Sequence, residues 1–443
     1  MTSAGELALF GGSPVLSRDS HRTWPIVGES EKAAIARVLE RGILSGPFAP
    51  EVTELEREFA RYVGAKHCLV THSGTSALVI ALAGVGVGAG DEVIVPAYSF
   101  VATPLAVLQL GAIPVFADIE EQTGCVDPTA VEAAITSRTR AIMPVHMHGG
   151  AAAMDKLSEV TRRHGLALVE DAAQAHGAQF DGRPVGAIGA AGGFSLQSSK
   201  NLPAGEGGLF VTNDDEVAVE AGCVRNFGQE LRSSDKEEYD GTRPLDGSRA
   251  LNSRRMGSMY RGGELMAAFA RAQLSRLPER TLACQRSAQL LVRRLADLPG
   301  VLPPLCPPGR TSVHHKFRVR LDPMRAGLKV SAGRLRDVVA RALVAEGLEV
   351  VQWQSAPLPA QPIFQRRARA DGFPDESSAH RTASTDLSKN YDPTHYPRTI
   401  ALLAGSLVLF SQSCPLIAQT DETVGRYAEA FERVWRHREA LVA

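Results

Sequence analysis

Lysine is scarce in this chain of 443 residues: eight lysines stand beside forty arginines. A lysine in an unusual setting is therefore conspicuous. Long apolar runs are missing, since no stretch reaches the roughly 18 consecutive apolar residues that suggest a bilayer span. The most apolar stretch, 77–88, is broken by glycines and reads as a buried helix. The six cysteines (Cys68, Cys125, Cys223, Cys284, Cys306 and Cys414) form no CxxC pair. That spacing argues against a zinc knuckle or a disulfide framework and fits a reducing cytosol. Neither sign of charge dominates: 48 Lys+Arg against 49 Asp+Glu leave a net charge of −1. Bulk electrostatics thus draws the chain neither to nucleic acid nor to an anionic membrane. The segment MTSAGELALFGGSPV lacks a basic region followed by an apolar one, so no secretory signal is read. A cytoplasmic globular protein is expected, with small molecules rather than nucleic acid or membrane as partners.

What is present is a core-forming composition, 44% hydrophobic, over a length that suggests two or three domains. From about residue 60 to 215, short apolar strands alternate with helical segments. The strands are expected at Cys68–Thr71, Glu92–Pro96, Pro114–Asp118, Ala141–His146, Ala167–Glu170, Gly193–Gln197 and Gly208–Thr212. Helices fill gaps at Ser76–Ala83, Pro104–Leu110 and Met154–His164. This alternation implies a largely parallel sheet flanked by helices, an α/β fold with binding sites at the carboxyl ends of its strands. After Gly262 the pattern becomes α+β. Helical stretches are read at Glu264–Leu277 and Thr281–Leu298, with Pro278 as a kink or break. A strand at Lys316–Leu321, a helix at Ala332–Glu346, strands near Leu348–Trp353 and Leu407–Ser411, and a helix from Glu422 to about Leu441 follow. The division expected is an N-terminal arm (1–30), a large domain (31–275) and a small C-terminal domain (276–443). Two polar stretches, 228–257 and 364–398, read as loops, either lids or surface insertions.

Three pieces carry chemistry, each at the end of an expected strand. Cys68-Leu-Val-Thr-His-Ser-Gly-Thr-Ser76 leads into an apolar helix, so Gly74, Thr75 and Ser76 offer N–H groups, hydroxyls and a positive dipole end. That is either a phosphate site or an ordinary helix cap. Leu168-Val-Glu-Asp-Ala-Ala-Gln174 places Asp171 and Gln174 just past a buried strand. A carboxylate there serves a ring nitrogen, or merely caps a loop. Between the last two strands, Lys200 lies among small residues and before a Gly-Glu-Gly-Gly turn. Partial desolvation there favours the neutral, nucleophilic amine; the alternative is a solvated loop lysine. Together the pieces meet one requirement. Pyridoxal 5′-phosphate (PLP) needs a lysine, an acid for its pyridine nitrogen and a phosphate cup.

The blocks VTHSGTSAL, VIVPAYSFVATPLAVLQLGAIPVFADI, MPVHMHGGAAAMDKL, VEDAAQAHGA and FSLQSSKNLPAGEGG resemble successive signatures of the DegT/DnrJ/EryC1/StrS aminotransferases. The likeness runs from about Trp24 to Leu277. It implies the fold of the fold-type I PLP enzymes and amination of a keto-sugar or keto-cyclitol, with glutamine or glutamate as donor. LALFGGSPV with Trp24-Pro25 is similar to the branch acting on cyclitol ketones or making aminohydroxybenzoate. So is Gln197, where many sugar-nucleotide members carry His. The resemblance implies that Lys200 forms the internal aldimine and carries the proton between Cα and C4′. It implies that Asp171 pairs with the pyridinium nitrogen and that Gln174 bonds the ring hydroxyl. Gly74, Thr75, Ser76 and Ser195 would hold the phosphate, and Phe100 would stack on the ring. A homodimer with shared active sites is implied as well. Within the family, 3-dehydratases replace the lysine with histidine, so Lys200 argues against that branch. The alternatives kept are a dehydratase, an aromatising synthase or a lyase on the same fold.

Two departures from the family pattern are visible. Gly257-Ser-Met-Tyr-Arg261 puts Met259 where the family's Asn reaches the neighbouring subunit's phosphate, and a thioether cannot donate a hydrogen bond. Gly262-Gly263 follow where a polar residue is usual. His72, His146, His148, His176 and Asn226 are further pocket candidates, each also readable as a local hydrogen-bonding residue.

Overall fold

The computed structural model describes residues 4–231, 252–365 and 391–443. The question whether 228–257 and 364–398 form lids therefore falls largely outside the described residues. Seven strands, β1 (His67–Thr71), β2 (Glu92–Pro96), β3 (Ile113–Ala117), β4 (Thr139–Ile142), β5 (Ala167–Asp171), β6 (Ala191–Ser195) and β7 (Gly208–Thr212), form one sheet. Their spatial order is β1-β7-β6-β5-β4-β2-β3. Only β7 runs against its neighbours, and every other pairing is parallel. Because β1 and β6 both oppose β7, they point the same way as β5. The carboxyl ends of β1, β2, β5 and β6 therefore share one edge, which is the edge the alternating pattern singled out.

Helix Gly74–Gly84 shows why the sheet is covered as it is. Its sequence GTSALVIALAG is apolar all round, and Ala77 to Ala83 are buried between the sheet and helix Asp215–Arg225. A helix without a polar face belongs inside. Its first residue must be glycine, since a Cβ on Gly74 would meet Ser195 Cβ at 2.6 Å. The close approach pins the helix start to the end of β6.

A second, antiparallel sheet comprises β8 (Val301–Leu302), β9 (Phe317–Leu321), β10 (Val350–Val351) and β11 (Ser406–Leu409), in the order β8-β9-β11-β10. Helices Leu277–Ala296, Ala332–Ala345 and Asp421–Arg436 bury Leu291, Leu335 and Phe431 against Phe317 and Val319. The N-terminal segment joins this core through Leu7, Leu16 and Trp24. The chain also crosses back. Phe364, Tyr391 and Tyr396 pack on Phe116 of β3, and the Tyr391 hydroxyl donates to Pro114 O at 2.8 Å.

The break expected at Pro278 is present: helix Glu264–Leu274 ends, and Leu277–Ala296 begins with Pro278 in its first turn, where no N–H is required. Other sequence expectations need adjusting. The strand expected at 141–146 ends at Ile142, and Pro144, which cannot donate to a ladder, follows shortly after. The last helix divides at His437 into Asp421–Arg436 and Arg438–Val442. Among the described residues, no helix is long and apolar enough to cross a membrane.

Candidate active site

Lys200 occupies the loop between β6 and β7. Its N–H donates to Gln197 O at 2.8 Å, and Ser198 N–H donates to Gly205 O at 2.8 Å, which folds the loop onto itself. Two outside ties hold it. Trp24 Nε1–H donates to Lys200 O at 3.0 Å, and Asn201 Nδ2 donates to Val313 O at 2.9 Å. Burial pulls the Lys200 amine from its ordinary 10.5 to about 8; Asp171 opposes that pull and the charge on Lys316 adds to it. An amine in this range is readily converted to its nucleophilic form.

Asp171 closes β5 and is 4% exposed. Its Oδ2 accepts from Thr103 Oγ1 at 2.8 Å and its Oδ1 from Ala173 N–H at 3.1 Å. Because Thr103 donates to the carboxylate, the Ser99 hydroxyl at 2.8 Å is its own donor. Burial pushes the carboxyl up, and the Thr103 hydrogen bond, the Ala173 N–H and Lys200 only partly counter it. Among the described residues no arginine pairs with Asp171, so a buried carboxylate lies open to a cation. Gln174 accepts from His148 N–H through Oε1 at 3.0 Å, which fixes the amide orientation and makes Nε2 the donor end.

At the end of β1, Ser73 is the helix cap, accepting from Ser76 N–H at 3.1 Å. The cap and an anion cradle coexist here, because a helix start leaves further N–H groups without intrahelical partners. Thr75 is half-buried and Ser76 buried. Ser195, 9% exposed, accepts from Gln197 N–H at 3.3 Å and abuts Gly74. Phe100, just beyond β2 on the same edge, is 58% exposed and leaves a ring face open.

The histidines divide. His146 Nδ1 accepts from Ala152 N–H at 3.1 Å while Nε2 meets Glu170 at 2.9 Å, and Glu170 also accepts the N–H groups of Gly186, Ile188 and Gly189. That histidine is wired into the scaffold. His72 lies 3.2 Å from Ser76 Oγ and packs on Tyr260. His176 packs beside Phe59 and Phe194 and is pushed down to about 3, chiefly by burial. His148 bonds the Tyr98 hydroxyl at 2.8 Å, and among the described residues its Nδ1 has no partner. Asn226 accepts from Arg261 and pairs by its backbone with Met259, whose side chain is partly exposed.

Sequence reasoning missed Thr103, Lys316 and the anchoring of Lys200 by Trp24. Thr103 follows Ser99 by four residues, the spacing that stacks two hydroxyls on one helical face. Lys316 belongs to His314-His315-Lys316-Phe317-Arg318, a basic run entering an otherwise apolar strand.

The Lys200 environment has a direct consequence. In cofactor-free protein, acylation of Lys200 by acetic anhydride should have its midpoint near pH 8, not at the ordinary lysine value of about 10.4. Peptide mapping across a pH series reads this, and a midpoint above pH 10 would show a solvated amine.

Comparison with known proteins agrees with this arrangement. Residues 25–396 match the DegT/DnrJ/EryC1/StrS aminotransferase family. An L-glutamine:2-deoxy-scyllo-inosose aminotransferase from Streptomyces lividus is 37% identical, covering 99% of this chain and 100% of the relative. An L-glutamine:scyllo-inosose aminotransferase from Streptomyces griseus is 38% identical, covering 97% of each. Among solved structures, 3-amino-5-hydroxybenzoic acid synthase superposes with a TM-score of 0.76 at 32% identity, covering 94% of this chain and 98% of that one. A lysine and a carboxylate meeting at one edge of such a sheet, in a chain alike over its whole length, leave one assignment: the protein belongs to the DegT/DnrJ/EryC1/StrS family and is a PLP-dependent aminotransferase.

Proposed function

We propose that this enzyme moves the amino group of L-glutamine to a ketone on a cyclitol of the scyllo-inosose type, with Lys200 as the covalent anchor of PLP. The observation that carries this reading is the buried Asp171 carboxylate, held by two hydrogen bonds and unpaired by any arginine among the described residues, beside the depressed Lys200 amine. A pyridinium nitrogen is the cation such a carboxylate suits. When bound, PLP supplies an electron sink for the charge left at the amino-bearing carbon.

The chain's own residues do the rest. Asp171 holds the proton on the ring nitrogen, and Thr103 with Ala173 N–H fixes its carboxylate plane. Gln174 offers Nε2 to the ring hydroxyl. Gly74, Thr75, Ser76 and Ser195 receive the phosphate where the helix dipole favours negative charge. Phe100 would cover one face of the ring. Lys200 would carry the proton between the donor's Cα and C4′, in the reverse order for the acceptor. Trp24 and Asn201 keep Lys200 in place by holding its loop.

The names of the relatives support glutamine and the cyclitol, since the L-glutamine:inosose enzymes match this chain end to end. The test is spectroscopic. Single amino acids are added to the PLP form, and conversion to the pyridoxamine absorbance identifies the donor. A scyllo-inosose-type ketone should then restore the original spectrum. Borohydride reduction of the resting enzyme should label Lys200, and a label on another lysine would overturn the anchor. This reading includes a homodimer with each site at the subunit boundary, supported by exposed apolar side chains at Met256, Met259 and Leu265. An active 47.3 kDa monomer by light scattering at micromolar concentration would refute it.

A further inference from the structure

Burial makes a carboxylate a stronger base, because it disfavours the charged form. For Asp171 burial is the largest influence and it raises the group. A carboxylate that is too basic takes the ring proton for itself, and the ring then loses the positive charge on which its electron sink depends. Four influences oppose burial: the Thr103 hydrogen bond, the Ala173 N–H, and the charges of Lys200 and His146. Thr103 is the largest of the four.

Thr103 is fully buried, and its one hydroxyl proton goes to Asp171 Oδ2 at 2.8 Å. Ser99 Oγ, buried and 2.8 Å from Thr103 Oγ1, therefore donates to Thr103. Both protons point along one line toward the carboxylate. Hydrogen bonds in such a series strengthen one another, by about 10–30% per bond. The series is held from the second sheet. Gln354, three residues past β10, donates Nε2 to Ser99 O at 2.5 Å. Trp353 beside it packs edge-on against Tyr98 and His148, with ring centroids 5.5 and 5.0 Å away. The backbone that carries the Ser99 hydroxyl is thus fixed by a segment from the other domain.

We propose that Ser99 is a positioning residue for Asp171, which keeps the Thr103 proton on the carboxylate so that the pyridine nitrogen keeps its own, and that Gln354 sets Ser99 in place. The inference rests on the reading above, in which Asp171 partners the ring nitrogen. Ser99 and Gln354 act through Asp171 and not on a substrate, so they serve both half-reactions alike.

The test reads the ring nitrogen itself. Cofactor-free enzyme is loaded with PLP labelled with ¹⁵N in the ring, and NMR distinguishes pyridinium from neutral pyridine. The proteins are wild type, Thr103→Val, Ser99→Ala, the double variant and Gln354→Met. Ser99→Ala should move the resonance toward neutral pyridine, in the same direction as Thr103→Val and by less. It should also lower kcat about twofold to tenfold in both half-reactions, with KM unchanged. In the Thr103→Val background Ser99→Ala should add nothing to the shift, because the proton it steers is gone. Gln354→Met keeps the length, loses the donor, and should move the resonance the same way. An unmoved resonance in Ser99→Ala overturns the relay, and so do additive shifts in the double variant. A raised KM in Gln354→Met without a nitrogen shift would make Gln354 a substrate contact and overturn its positioning role. A neutral ring nitrogen in wild type is a separate failure, since it removes Asp171 from the ring and overturns the underlying reading as well. An amino donor other than glutamine would end the glutamine reading and leave the nitrogen shifts as the support for Ser99.

Discussion

Replacing Lys200 with alanine is expected to lower transamination by about 10⁴-fold or more while leaving a folded protein that still takes up PLP. General acid–base catalysis by a positioned side chain contributes about 10²–10⁴-fold, and on the function proposed above the loss of a covalent anchor adds to this. Folding should survive, because the loop is held by groups that the substitution leaves alone. Trp24 bonds the backbone carbonyl of residue 200, Asn201 bonds Val313 O, and the turn closes through backbone N–H groups. Removing a desolvated amine also removes a strained charge. Uptake should persist through the Gly74–Ser76 cup and Asp171, with an absorbance typical of free aldehyde. Single-turnover measurement with glutamine checks the claim, and a rate within about a hundredfold of wild type would assign the proton carrier to another group. Lys316 is the residue to examine in that event, being the other lysine that burial brings to about 8.

The sheet was readable because its strands are short apolar runs between helical segments, and β2 and β7 fall where the pattern placed them. Lys200 and Asp171 come to one edge for a related reason. Asp171 ends β5 and Lys200 lies five residues past the end of β6, and the two strands are parallel. Lys316 escaped because Lys316-Phe-Arg-Val-Arg-Leu alternates as any strand with a solvated face does. The 147–151 turn, about 165 residues earlier in the chain, meets Lys316 and Arg318 at one small cavity together with residues from 304 to 312. His146 was open to two readings, pocket candidate or local hydrogen-bonding residue, and Glu170, on the neighbouring strand, selects the second by holding its ring. The segment after Leu358 is rich in polar residues and turn formers, which hides the docking of Tyr391 and Tyr396 onto Phe116. Partners chosen across the chain leave little local periodicity to read.

Asp171→Asn should fold as the wild type does and lose about 10²–10³-fold in kcat, the usual magnitude for deleting one preorganised electrostatic contact. The fold is expected to hold because the network can absorb the amide. Oδ1 of asparagine still accepts from Ala173 N–H, while Nδ2 faces Thr103 Oγ1. Thr103 then accepts from the amide and turns its own proton to Ser99 Oγ, 2.8 Å away. Both hydrogen bonds to residue 171 are kept and no volume is lost. What disappears is the negative charge, and an amide cannot hold a proton on the ring nitrogen. The loss should appear in kcat for both half-reactions, with little change in KM, since neither substrate touches this side chain. A second readout is independent of turnover. Asp171 raises the Lys200 pKa against the pull of burial, so deleting its charge should move the acylation midpoint of Lys200 in cofactor-free protein below the wild-type value near pH 8. A variant with near-wild-type single-turnover rates would remove Asp171 from the ring nitrogen. If kcat collapses while the Lys200 midpoint stays fixed, the two groups are too far apart to act on the same ring.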